Sequence, residues 1–197
     1  MSIGPLFGDQ RGKMFGVLHC LDTRAKSLYL YAFSGQFNGR WLVPGWVPPL
    51  FDVAQFQQLN NPIEKNIKEL GREIASSPNG SVKEKMIIER KELSRSLMRR
   101  IHDLYRLHNF RGERRSLEQV IGLDKNLPTG VGDCCAPKLL NFAATKKYTP
   151  VSLSEFYFGK ANSSGTRQHM TFYQPCSEKC QPLLGFLLCG IGEKFKQ

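Results

Sequence analysis

Gly130-Val131-Gly132-Asp133-Cys134-Cys135-Ala136-Pro137-Lys138-Leu139-Leu140, read together with Pro175-Cys176-Ser177-Glu178-Lys179-Cys180, decides the expected fold. Each stretch puts cysteine just ahead of a helical pattern. The first continues as a helix over about 136–148, and the second opens an apolar helix over about 180–189. Between them lie strand patterns at 151–159 and 170–173, joined through Asn162-Ser163-Ser164-Gly165, which reads as a mobile loop. Helices and strands in this order predict an α+β fold whose two cysteine motifs come together.

Toward the N-terminus, Met14-Phe15-Gly16-Val17-Leu18-His19-Cys20 and Leu28-Tyr29-Leu30-Tyr31-Ala32-Phe33 flank a polar turn and predict a β-hairpin over about 14–34. Residues 34–52 are rich in Gly, Pro and Trp and read as irregular backbone, whose aromatics either stack on bases or pin the loop to the sheet. Two helices follow. Ile63, Ile67, Leu70 and Ile74 form one apolar stripe on a short helix opened by Pro62. After Ser76-Ser77-Pro78-Asn79-Gly80-Ser81, a longer helix carries Met86, Leu93, Leu97, Ile101 and Leu104 on one face and ends near Arg111-Gly112. The expected organisation is one unit over 1–197: the hairpin, a helical hairpin inserted at about 62–111, and a cysteine-motif α/β portion at about 128–190.

The chain has 197 residues with 28 Lys and Arg against 17 Asp and Glu, a formal charge of +11, which favours a polyanionic partner over a small acidic substrate. The excess is concentrated. Between Lys83 and Arg115 stand eleven basic residues and five acidic ones. Arg90, Arg95, Arg99, Arg100 and Arg106 are the candidates for phosphate contact, with Tyr105, His108 and Phe110 as nearby aromatic support. The competing reading is an ordinary solvated helix face.

Six cysteines in a chain of this length are too sparse for a disulfide scaffold, and no secretory leader pattern opens the sequence, so the expected setting is cytoplasmic with reduced thiols. No apolar run approaches the roughly 20 residues that span a bilayer, so no membrane partner is expected. Cys134, Cys176 and Cys180 are the candidate ligands of a tetrahedral metal, zinc by donor type, with His169 as a candidate fourth and Cys135 competing with Cys134. Three readings stay open: a structural thiolate site, buried cysteines without metal, and a catalytic site. Cys20 and Cys189 read as packing residues.

Pro175-Cys176 followed by a helix resembles the second half of the zinc-dependent deaminase signature, which implies a mixed sheet with flanking helices. The likeness is partial, because three residues separate Cys176 from Cys180 and Pro137 stands where the proton-shuttling glutamate would follow Cys135-Ala136. In a deaminase reading, Asp133 or Glu155 would supply that carboxylate. A broader resemblance rests on 12–18, on Ala32-Phe33-Ser34-Gly35 with 47–52, and on Glu89-Arg90-Lys91 through Ser96-Leu97. It continues through 130–140, 153–159, Phe172-Tyr173-Gln174-Pro175-Cys176 and Lys179-Cys180. In that order these segments are similar to the long N-terminal region of a subset of RluA-type RNA pseudouridine synthases. The resemblance implies an accessory domain that binds structured RNA, rRNA or tRNA, beside a synthase catalytic domain. The family's catalytic aspartate lies in His-Arg-Leu-Asp, a tetrapeptide this chain does not contain.

Overall fold

The computed structural model describes residues 4–7, 12–122 and 127–195. After a 3-10 turn at Gly4–Phe7 come strands β1 (Lys13–Leu21) and β2 (Ser27–Phe33), then helices α1 (Val53–Ser76) and α2 (Ser81–His102). The short strands β3 (Leu107–His108) and β4 (Arg114–Arg115) and helix α3 (Leu117–Ile121) follow. The chain closes with α4 (Cys135–Thr145), β5 (Thr149–Phe158), β6 (Thr171–Phe172), α5 (Gln181–Leu187) and α6 (Ile191–Lys194). No helix among the described residues is long and apolar enough to cross a membrane.

The four-stranded sheet has the order β2-β1-β5-β6. The fold is α+β, but the sheet expected to be mixed is antiparallel at every pairing. The reason lies between β5 and β6. A parallel pair needs a crossover, usually helical, whereas here the chain turns back on itself around Asn162. Its Nδ2 donates to Ser164 Oγ at 3.0 Å and Thr166 Oγ1 at 2.9 Å, while its Oδ1 accepts from the Arg167 amide at 2.9 Å. The segment expected to be a loop is a loop, closed on itself by these side-chain hydrogen bonds of Asn162.

Alternation along β1 sorts its side chains to two faces. Leu18 and Cys20 join the main core with Leu139, Leu140 and Ala143 of α4 and Leu183 and Leu187 of α5. Gly16 lies where α4 comes closest: a Cβ there would sit 2.6 Å from Cys135 Cβ and 3.0 Å from Leu139 Cδ1. On the opposite face Phe15 forms a second cluster with Phe33 and Phe37, against which Trp46, Phe156 and Phe158 pack. The Trp46 ring lies 5.6 Å from both Phe15 and Phe33, and the Val47 amide donates to Tyr31 O at 2.9 Å. Trp41 packs on Phe51 and Phe56. The aromatics of 34–52 thus pin the loop to the body.

The helical hairpin is displaced from its expected limits. Helix α1 begins nine residues before Pro62, because Asp52 caps it by accepting from the Gln55 amide at 2.9 Å and Phe51 stacks on Phe56 at 4.9 Å. The stripe Phe56, Leu59, Ile63, Ile67 runs against the core without interruption, and this packing carries the helix through the proline. Helix α2 ends at His102 rather than near Gly112. Asn109 Oδ1 accepts from the amides of Arg111 and Glu113, and Gly112 takes φ 86°, so this stretch forms the β3–β4 hairpin turn. The expected C-terminal helix stops at Leu187; Gly190, at φ 86°, turns the chain into α6.

Gly16→Ala should destabilise the fold by about 1–3 kcal/mol, because the added methyl overpacks a contact with backbone-proximal atoms on a rigid helix. A lowered midpoint of urea unfolding at unchanged slope checks this.

Candidate functional site

Cys134 occupies the N-cap position of α4 and Cys180 that of α5, with Cys176 one turn earlier. The sulfurs of Cys176 and Cys180 lie 3.2 Å apart and those of Cys134 and Cys176 3.9 Å apart, and all three fall within 4.8 Å of one another. A tetrahedral zinc–thiolate site has sulfurs about 3.8 Å apart, given Zn–S bonds of about 2.3 Å. Three thiols are therefore close enough to hold a metal ion, and soft sulfur donors suit zinc over magnesium or calcium. Hydrogen bonds from the Cys180 and Cys176 thiols hold Cys134 below the ordinary thiol range, while Cys180, as donor to Cys134 and buried, is pushed well above it.

The structure decides between the adjacent cysteines. Cys135 is fully buried, its thiol donates to Met14 O at 3.4 Å, and it stands outside the trio. His169 does not join either. Its Nδ1 accepts from the Gly159 amide at 3.1 Å and its ring packs on Phe158 and Phe7, so as a fourth ligand it is set aside. No other His, Cys, Asp or Glu completes the group among the described residues.

Cys134 does not cap its own helix. That role falls to Glu155 on β5, whose buried Oε1 accepts from the Ala136 amide at 2.8 Å, with the Cys135 amide as a second donor. Burial raises the Glu155 carboxyl above its usual range, and the two amides oppose that rise. Asp133 is held differently. Its Oδ1 accepts from the Tyr105 hydroxyl at 2.6 Å, and burial raises its carboxyl too. Tyr105 packs over Gly132, at φ 86°, where a Cβ would meet the ring at 3.0 Å. This turn aims Asp133 and Cys134 inward.

Lys138, one turn along α4 from Cys134, is 1% exposed. Its Nζ donates to Phe33 O at 2.7 Å and lies 4.5 Å over the Phe33 ring. Burial lowers its pKa to about 8, against the pull of Cys135 and Asp133. Sequence reading missed it. The available signal was a lysine set inside the apolar run Pro137-Lys138-Leu139-Leu140.

A second feature lies along α2, where a cleft of about 910 Å³ is lined by Arg90, Lys91, Arg95, Arg99 and His102, with Asp103 and Glu118 as its acids. Arg90, Arg95 and Arg99 form no ion pair among the described residues. His102 is 9% exposed, its Nε2 has no hydrogen-bond partner among the described residues, and burial lowers its pKa. Arg100 is exposed off this cleft. Arg106 lies beyond α2; its guanidinium donates to the Asp103 and Tyr105 carbonyls and lines a smaller cleft with Arg114 and Arg115. Tyr105 and Phe110 are core residues rather than stacking surfaces.

No family model, curated protein or solved structure matches this chain.

Glu155→Ala should cost roughly 1–3 kcal/mol of stability by leaving two helix amides without an acceptor, and Glu155→Gln, which keeps a carbonyl oxygen there, should cost less. Urea unfolding of the two variants beside the wild type measures the difference.

Proposed function

We propose that this chain is a non-catalytic, RNA-binding accessory domain of the kind that precedes the catalytic core in long RluA-type pseudouridine synthases, with a zinc ion as a thiolate staple. The observation that carries the reading is the α2 cleft, lined by Arg90, Arg95 and Arg99, which form no ion pair among the described residues, and by buried His102. Lys91, Arg95 and Arg99 recur every four residues, about 6 Å apart along the helix, and so present a row of cations on one rigid face. Phosphates seated there would displace counterions, which makes binding strong and salt-dependent without base specificity. In this reading the RNA is a structured rRNA or tRNA, and the synthase core does the chemistry.

Cys134, Cys176 and Cys180 would hold the zinc. Bound there, it would cross-link the starts of α4 and α5 and supply folding free energy. Lys138 would offset the negative charge of three thiolates from within the core. A structural role is favoured over hydrolysis by the carboxylates the deaminase reading requires: Glu155 is tied to helix amides and Asp133 to Tyr105. The clefts at α2, β4 and α3 are lined by none of the three thiols.

Arg95→Glu combined with Arg99→Glu should abolish retention of structured RNA at moderate salt and flatten the dependence of log K on log salt by roughly 1 to 2, with an unchanged melting temperature. Filter binding across a salt series reads both, and wild-type retention by the variant would end the proposal for α2. Purified protein should carry about one zinc per chain. Cys176→Ser should lose the metal and lower the melting temperature together, as metal analysis and thermal unfolding of the same sample would show.

A further inference from the structure

We propose that the open half of the sheet face opposite α4 binds unpaired nucleobases, a second nucleic-acid site distinct from the α2 cleft. That the polymer is RNA rests on the reading above; the site itself rests on the geometry of β1, β2 and β5. In the register of the sheet, His19 pairs with Tyr29 and Val17 with Tyr31, and on the other side the same two residues pair with Ser152 and Ser154. These positions share one face. At one end the face is closed by Phe15, Phe33 and Trp46, but Tyr29 and Tyr31 remain 56% and 42% exposed, and Ser152 and Ser154 are exposed beside them.

The aromatics are already arranged as a platform. The His19 ring stacks on Tyr29 with centroids 5.0 Å apart and planes inclined by 23°, and it is fixed by the 2.7 Å contact of Nε2 with Ser27 Oγ. Tyr31 leans on Trp46 at 5.9 Å. Rings carried on paired strands lose little freedom when a base stacks on them, and every base offers a π-face, so such a surface takes single strands with little sequence preference. Serines rather than large apolar side chains fill the adjacent row, and none of these six positions holds a carboxylate.

Charge says what the platform faces. Leu21 pairs with both Ser27 and Thr149, so the β1–β2 turn and the α4–β5 turn border the same end of the sheet. The two turns bring Arg24, Lys26, Lys146 and Lys147 there, all exposed and none in an ion pair among the described residues. The nearby acid, Asp22, has its Oδ1 taken by the Arg24 and Lys26 amides. Exposed rings beside a rim of cations match a single strand with its bases on the sheet and its phosphates at the turns. A duplex, whose bases are already stacked on one another, cannot use the rings.

The test is fluorescence anisotropy of the whole chain with a labelled oligouridine and with an RNA duplex of the same length, at one salt concentration. Tyr29→Ala combined with Tyr31→Ala should weaken oligouridine binding by about tenfold or more while leaving duplex binding near wild type. Tyr29→Phe with Tyr31→Phe, which keeps the rings, should retain it. Arg24→Glu with Lys26→Glu, which leaves every platform side chain in place, should weaken it as well. Arg95→Glu with Arg99→Glu should weaken the duplex and spare oligouridine; if it changes neither, the α2 reading fails and the platform stands. Oligouridine affinity unchanged in the alanine pair, with wild-type melting temperature, would overturn the platform and leave the face to a protein partner. Wild-type protein that does not bind oligouridine would overturn it equally.

Discussion

A single carboxylate holds the first turn of α4 against the sheet. Helix starts expose amides that need acceptors, and the residue at the N-cap normally provides one. In this chain the N-cap is Cys134, and the acceptor comes from Glu155 on the strand beneath. Two consequences follow. The Cys134 thiol is released to face Cys176 and Cys180, and the height of α4 above the sheet is set by a short polar contact in a core. Gly16 then permits the close approach that this contact demands, since any side chain on that residue would strike Cys135. Buried Lys138, reaching from the same helix to Phe33 O, fastens its other side.

Much of this was legible from residue order. The hairpin strands, the helical pair, the meeting of Cys134 with Cys176 and Cys180, and the α+β class follow from apolar periodicity and from cysteines placed ahead of helices. What stayed hidden depended on contacts distant in sequence. Pro62 reads as a helix start because locally that is where proline is least costly, and only packing of Phe56 and Leu59 on the core shows that the helix passes through it. His169 looked like a ligand because of its distance along the chain from Pro175, while its ring is spent on Phe158 and the Gly159 amide. β6 returns antiparallel because no crossover helix separates it from β5, and the Asn162 hydrogen bonds that organise that connection leave no mark in periodicity.

The charges around the thiols differ in kind from those on the surface. Cations that form no ion pair among the described residues gather along α2 and at the turns bordering one end of the sheet, whereas the trio lies near buried Glu155, half-buried Asp133 and buried Lys138. Surface cations of the first kind are screened by salt and adapt to whatever polyanion they meet. Buried groups of the second kind are fixed in number and position, so changing one without its partner is felt throughout the core.

The helical pair joins the body at one end only. No residue of α1 is buried, and those of α2 that are, Leu97, Ile101 and His102, belong to its last turns. Its 22 residues make α2 about 33 Å long, so the turn at Ser77 and Gly80 stands at the tip of an arm rather than against the core. An arm of that length, rooted at its base, has the geometry of a lever: a small rotation at the Tyr105 end would displace the tip by several ångströms.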